Sequence, residues 1–204
     1  GVRHEGAAAF AASAYGKLTG KPAACLTIAG PGATNLLTGL WDAKVDRAPV
    51  LALTGQVQTQ VFGPGAFQDI DLQSAFQAVS RFSQPVLTSS KHAELMSLAC
   101  KTALVERDVA HLIFPDDVQT VPSRSAAGRP DGRIGGSVVV PCEQDLQEAA
   151  RLLREAKRPI IVMGHGAVAA RDAIIDLAVT LGAPVLTTFK GKGLIPDSHP
   201  NAAG

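Results

Sequence analysis

Short apolar runs alternate with helix-period segments along most of the chain, and this alternation leaves few folds open. Residues Glu5 to Leu18 are rich in alanine, with Phe10, Tyr15 and Leu18 spaced along them. Such a segment is a strong helix former with a small-residue face for close packing. Gly20, Lys21 and Pro22 end it. Ala23 to Ala29 reads as a strand, Gly30-Pro31-Gly32 forces a turn, and Ala33 to Arg47 resumes a helical period through Leu36, Leu37, Leu40, Trp41 and Val45. Pro49 to Thr54 is a second apolar strand, and Gln56 to Ala66 a polar loop. The pattern then predicts a helix over 71–79, a strand over 85–88, an amphipathic helix over 91–107 and a strand over 110–114 that Pro115 stops. Continuous apolar strands separated by helices are the mark of a parallel sheet covered on both faces, so the fold class is α/β with a doubly wound sheet.

Composition changes between Pro122 and Gly136, where Ser, Arg, Gly, Pro and Ala replace almost every large apolar side chain. That stretch reads as an interdomain linker. Beyond it the pattern restarts: helix 143–157, strand 159–163, helix 169–181, strand 184–187. The expected organisation is therefore a first α/β domain over residues 1–121, a linker over 122–140, and the first part of a second, Rossmann-like α/β domain over 141–204. A formal net charge of +1 argues against nucleic acid as a partner. No apolar run approaches the ~20 residues that span a bilayer. Cys25, Cys100 and Cys142 are far apart, without a CxxC pair, and read as reduced, mostly buried thiols of a cytoplasmic protein. The chain opens without a methionine directly into a helical pattern and stops just after a strand and loop, which suggests a piece of a longer polypeptide.

Three segments could carry chemistry. Arg3-His4-Glu5-Gly6-Ala7-Ala8 puts a carboxylate in the first turn of a helix, where the macrodipole alone would favour it by roughly 0.3–1 kcal/mol. Ile28-Ala29-Gly30-Pro31-Gly32-Ala33-Thr34-Asn35 lies between strand and helix; its glycines let a ligand approach the backbone, or simply allow a tight turn. Ala66-Phe67-Gln68-Asp69-Ile70-Asp71 follows a long loop and is either functional or a plain helix start capped by Asp69 or Asp71.

Taken in order, with Asp46-Arg47-Ala48-Pro49-Val50-Leu51-Ala52-Leu53-Thr54-Gly55-Gln56 between the second and third, and Arg107 to Val118 after them, these motifs resemble the thiamine-diphosphate-dependent enzymes of the acetolactate synthase and pyruvate oxidase group. The resemblance extends over nearly the whole chain. It implies a pyrimidine-binding domain whose usual first strand is missing, then the start of the group's central domain. It implies that Glu5 hydrogen-bonds the pyrimidine ring nitrogen of thiamine diphosphate, favouring the imino tautomer whose nitrogen deprotonates the thiazolium carbon. By the same resemblance Pro31 and Asn35 line the pyrimidine, and Phe67 and Gln68 reach toward the thiazolium and substrate side. The implied substrate is a 2-oxo acid such as pyruvate, decarboxylated with carboligation or with oxidation. The group clasps its cofactor between subunits, so a homo-oligomer, at least a dimer, is implied. No Gly-Asp-Gly with a downstream Asn is present, so ligands for Mg²⁺ and the diphosphate are expected outside this chain, and these residues alone are expected to be inactive.

Gly164-His165-Gly166-Ala167-Val168-Ala169 fits G-x-G-x-x-A after a strand. The following strand ends in Thr188-Phe189-Lys190 and offers no acidic residue for a ribose hydroxyl, which counts against a nicotinamide site. In the resembled group the central domain binds FAD in some members and is empty in others; Gly164, Gly166, Thr188 and Lys190 would line that site. A nicotinamide oxidoreductase built on this turn and a non-catalytic α/β interaction module remain the alternatives.

Overall fold

Helix α1 (Glu5–Thr19) starts on an extended His4, whose Nδ1 accepts the Gly6 N–H, and ends on left-handed Gly20. Its alanine stripe is used as a packing face: Ala9, Ala12, Ser13 and Gly16 are buried. Strand β1 (Ala23–Thr27), the short helix α2 (Pro31–Thr34), helix α3 (Leu37–Val45) and strand β2 (Val50–Gln56) follow. Next come helix α4 (Leu72–Ala75), strand β3 (Phe82–Pro85), helix α5 (His92–Glu106), strand β4 (Val109–Pro115) and helix α6 (Asp116–Gln119). This computed structural model describes residues 1–122 and 139–204, and the chain divides into two compact units, 1–135 and 136–204. Residues 123–138, most of the expected linker, lie outside those described.

The strands of the first unit form one parallel sheet in the order β1-β2-β4-β3. Alternate residues of the central strands enter two cores. Val50, Ala52, Val109 and Ile113 pack with Ala9, Ala12, Leu36, Leu40, Leu72 and Phe76. Leu51, Leu53, Ala110 and Leu112 pack with Ala99, Ala103 and Val118 on the other face. The sheet is therefore doubly wound, as the apolar runs require. The α1–α3 contact is unusually close, since a Cβ on Gly39 would lie 2.6 Å from the Ala9 Cβ. Lys17 fastens the pair, with its Nζ 2.6 Å from Asp42 and 2.7 Å from Asp46.

One buried polar cluster crosses the sheet. His111 in β4 is fully buried, with Nε2 2.9 Å from the Thr54 hydroxyl of β2 and Nδ1 2.8 Å from the Ser83 hydroxyl of β3. Its ring stacks on Phe76 with centroids 3.8 Å apart. Burial pushes the His111 imidazole down to about 3.

The second unit holds helix α7 (Glu143–Glu155), strand β5 (Ile161–Met163), helix α8 (Arg171–Leu181) and strand β6 (Val185–Thr187). β5 and β6 are parallel, and residues 201–204 add main-chain bonds to β6. Met163, Ala178, Val185 and Ile195 form its core. α7 carries Leu146, Leu152 and Leu153 on its surface, and none of its residues is buried.

Several expectations are corrected. The single helix over 33–47 is two, because Leu36 N–H bonds Ala33 one residue short of the α pattern and tightens the chain at Asn35. The helix over 71–79 is only Leu72–Ala75, followed by turns that carry Phe76 onto His111. The strand expected over 85–88 lies at Phe82–Pro85, where pairing with β4 fixes its register. Only one thiol is buried: Cys25 is 3% exposed, Cys100 half-buried and Cys142 exposed. Burial raises the Cys25 thiol to about 11. Among the described residues, no helix is long and apolar enough to cross a membrane.

Candidate functional site

The C-terminal ends of the parallel strands gather the chemistry-bearing residues of the first unit, the place where open α/β sheets usually bind ligands. Gly30 follows β1 with φ +62°, a conformation that favours glycine, and turns the chain into Pro31 at the first position of α2. Asn35 at the end of that short helix meets Glu5 at the start of α1, its amide nitrogen donating to Glu5 Oε2 at 3.0 Å. Thirty positions of sequence separate the two, and the local tightening at Asn35 brings them together.

Glu5 is half-buried, and the Asn35 amide holds its carboxyl below the usual carboxylate range, with its own helix-start N–H adding to the effect. The other carboxylate oxygen faces Gly32: a Cβ built there would sit 3.3 Å from Glu5 Oε1 and only 2.6 Å from Ile28 Cγ2. Glycine at 32 thus leaves a small space beside a fixed, ionised carboxylate oxygen. Such an oxygen can accept a hydrogen bond from a protonated ring nitrogen.

Gln68 returns to the same turn. It has φ +69°, and its Cβ lies 2.7 Å from the point where a Gly30 Cβ would be. Phe67 beside it is 89% exposed. Pro31 is exposed at the turn. The structure therefore unites Glu5, Asn35, Pro31 and Gln68 around the Gly30–Gly32 turn and leaves Phe67 outside it. Sequence reasoning missed Gln56, Thr59 and Asp117, which hold the loop that carries Gln68; the one available signal was the acidic pair 116–117 directly after the strand-ending Pro115.

In the second unit, Gly164 lies against Thr188, whose hydroxyl would be 3.6 Å from a Cβ on the glycine, and Thr188 N–H bonds Met163. Gly166 is open on all sides within 4 Å, and Lys190 is exposed in the 3-10 turn Phe189–Gly191. The G-x-G-x-x-A segment winds as a 3-10 helix from His165 to Ala170, and α8 begins only at Arg171. The anion-attracting start of an α-helix is thus displaced from the glycines, which weakens the nicotinamide alternative. Among the described residues, no group of three or more His, Cys, Asp or Glu side chains could hold a metal ion.

Residues 1–76 match the family described as thiamine pyrophosphate enzyme, N-terminal TPP binding domain, and residues 146–204 match thiamine pyrophosphate enzyme, central domain. A Bacillus subtilis protein named provisionally as thiamine pyrophosphate-containing is 38% identical over 208 residues, covering 100% of this chain and 35% of its own length. A probable acetolactate synthase large subunit of Methanocaldococcus jannaschii is 34% identical over 221 residues, 100% of this chain and 36% of its own. A probable 2-ketoarginine decarboxylase of Pseudomonas aeruginosa is 36% identical over 212 residues, 100% of this chain and 37% of its own. The chain spans about a third of the length of these curated relatives.

Proposed function

The chain belongs to the thiamine pyrophosphate enzyme family, and on that premise we propose that it contributes the pyrimidine-side half of the cofactor site in an enzyme acting on a 2-oxo acid such as pyruvate. When bound, the cofactor's thiazolium ring supplies the nucleophilic carbon and electron sink for cleaving the bond beside the oxo group. Everything else in this half of the site is done by side chains of the chain itself. Asn35 fixes one oxygen of Glu5 and keeps the carboxylate ionised. With the cofactor bound, Glu5 Oε1 would hydrogen-bond the pyrimidine ring nitrogen and share a proton with it, an exchange that an amide in its place could not make. The Gly30–Pro31–Gly32 turn admits the ring, and Gln68 closes the side toward the substrate. The domain division 1–121, 122–140 and 141–204 goes with this reading.

The supporting observation is the Glu5 carboxylate held at 3.0 Å by Asn35, beside a space that only glycine at position 32 leaves open. The names of the relatives include an acetolactate synthase and a decarboxylase, so decarboxylation is the shared first step we assign; carboligation or oxidation follows, and product analysis separates them. Mg²⁺ and the diphosphate are held by residues outside this chain, and a second subunit completes the site, making the enzyme at least a dimer in the cytoplasm. Gly164, Gly166, Thr188 and Lys190 are the positions assigned to FAD, if the complete enzyme purifies with a flavin spectrum.

The test is Glu5→Gln in the complete enzyme, assayed with pyruvate, thiamine diphosphate and Mg²⁺. Turnover is expected to fall by roughly a hundredfold or more, the scale of a lost proton-transfer group, with the unfolding transition unchanged. Near-normal turnover in the folded variant overturns the assignment.

A further inference from the structure

The loop between β2 and α4 carries Gln68 in a left-handed backbone conformation that a non-glycine residue keeps only where its surroundings enforce it. Three fastenings provide that enforcement. At the neck, the buried Gln56 donates from Nε2 to the Ile70 carbonyl at 2.7 Å and accepts the Val57 N–H at 2.9 Å. One side chain thus ties the loop's outgoing strand end to its return. Farther out, Thr59 is gripped twice by a carboxylate from α6, directly after β4: its N–H donates to Asp117 Oδ1 at 2.9 Å and its hydroxyl to Asp117 Oδ2 at 2.6 Å. Within the loop, Asp69 Oδ2 accepts the Gly63 N–H at 2.8 Å, so the segment just before α4 is tied to the loop's midpoint.

The consequence appears at the tip. Gln68 is pressed onto Gly30, whose turn leads to Pro31 and Gly32 beside Glu5. If Thr59 is released, the loop keeps its neck and a longer Gln58–Asp116 contact at 3.4 Å, but loses its two short bonds to Asp117.

We propose that Asp117 is a positioning residue: acting through Thr59, it holds the loop over 57–71 in the shape that seats Gln68 on the Gly30 turn. It touches neither Glu5 nor Asn35, so its effect falls on presentation of the substrate-side residue and leaves the pyrimidine side intact. The proposal rests on the function assigned above.

The experiment uses the complete enzyme with pyruvate as the probe, thiamine diphosphate and Mg²⁺, and three variants: Asp117→Ala, Thr59→Val and Thr59→Ser. Loss of a charge-assisted hydrogen bond predicts that Asp117→Ala and Thr59→Val raise KM for pyruvate about tenfold. Half-saturation by the cofactor should stay within roughly twofold in both, as for an interaction made on the substrate side alone. Thr59→Ser keeps the hydroxyl and should restore both values. Amide hydrogen exchange over 57–71 should be faster in the first two variants and unchanged in the third. If Asp117→Ala fails to fold, Thr59→Val, which keeps the carboxylate, decides. Unchanged KM and unchanged loop exchange in Thr59→Val overturn the proposal, as does a Thr59→Ser that behaves like Thr59→Val. A wild-type enzyme without cofactor-dependent turnover of pyruvate counts against the assigned function; loop exchange then decides for or against the Asp117 fastening.

Discussion

At the scale of single residues, the two most consequential side chains are a carboxylate and an imidazole that the fold treats oppositely. Glu5 is kept charged at the sheet's edge, whereas His111 is kept neutral in its core. The second has a measurable cost at mild acidity. Unfolded, the imidazole takes a proton near its ordinary 6.5; folded, it does so only near 3. The unfolded state therefore binds more protons across that window, and stability falls as pH drops from about 6.5 toward 3. At pH 5 the loss from this one group amounts to roughly 2 kcal/mol. Urea titrations at pH 7.5 and pH 5 should show it in the wild type and not in His111→Gln; equal pH dependence in the two proteins would refute the assignment. His111 stood in the sequence as a lone polar residue inside the apolar run 109–114, the one available signal, but its partners Thr54 and Ser83 lie on other strands and no local pattern announces them. Glu5 was legible as a first-turn acid, and the structure places it there. Its grip by Asn35 was not, because that contact depends on a break in the helix that periodicity does not register.

At the scale of elements, legibility followed length. The long helices α1, α5 and α8 were readable because many turns repeat one signal. The short pieces α2 and α6 were not, and α4 was read too long, since four residues make barely one turn and tertiary contacts decide their limits. The α1–α3 pair shows how such contacts outweigh propensity. Replacing Gly39 by alanine should gain about 1 kcal/mol of helix propensity. It also places a Cβ 2.6 Å from the Ala9 Cβ and 2.8 Å from the Phe10 nitrogen. Overpacking of that kind costs typically 1–3 kcal/mol, and here the obstructing atoms include backbone, which cannot swing aside. Gly39→Ala is accordingly expected to lower stability by up to about 2 kcal/mol net in a denaturant titration. A stabilised variant would show that the helices separate freely and that their closeness is incidental.

For the whole molecule, the decisive fact is how the ionic work is divided. The first unit holds the fixed Glu5 carboxylate proposed to meet the ring, yet among the described residues no cluster of acidic or imidazole groups could hold a divalent ion. One charge-assisted hydrogen bond contributes about 1.5–3 kcal/mol, while even millimolar binding needs about 4 kcal/mol. Isothermal titration of these 204 residues with thiamine diphosphate and Mg²⁺ should therefore give a dissociation constant of about 1 mM or weaker. A micromolar value would mean that the diphosphate is held within this chain. The distribution of thiols offers something different, a way to time motion in the first unit. Cys142 is exposed in the second unit, while Cys25 is shut inside β1 of the first. With its thiol raised to about 11, Cys25 would be thiolate in only about one molecule per thousand at pH 8 even if reagent could reach it. Brief alkylation followed by peptide mass spectrometry should mark Cys142 at once and Cys25 only as fast as β1 comes away from its neighbours. The lag between the two labels then measures how often the outer strand of the sheet opens.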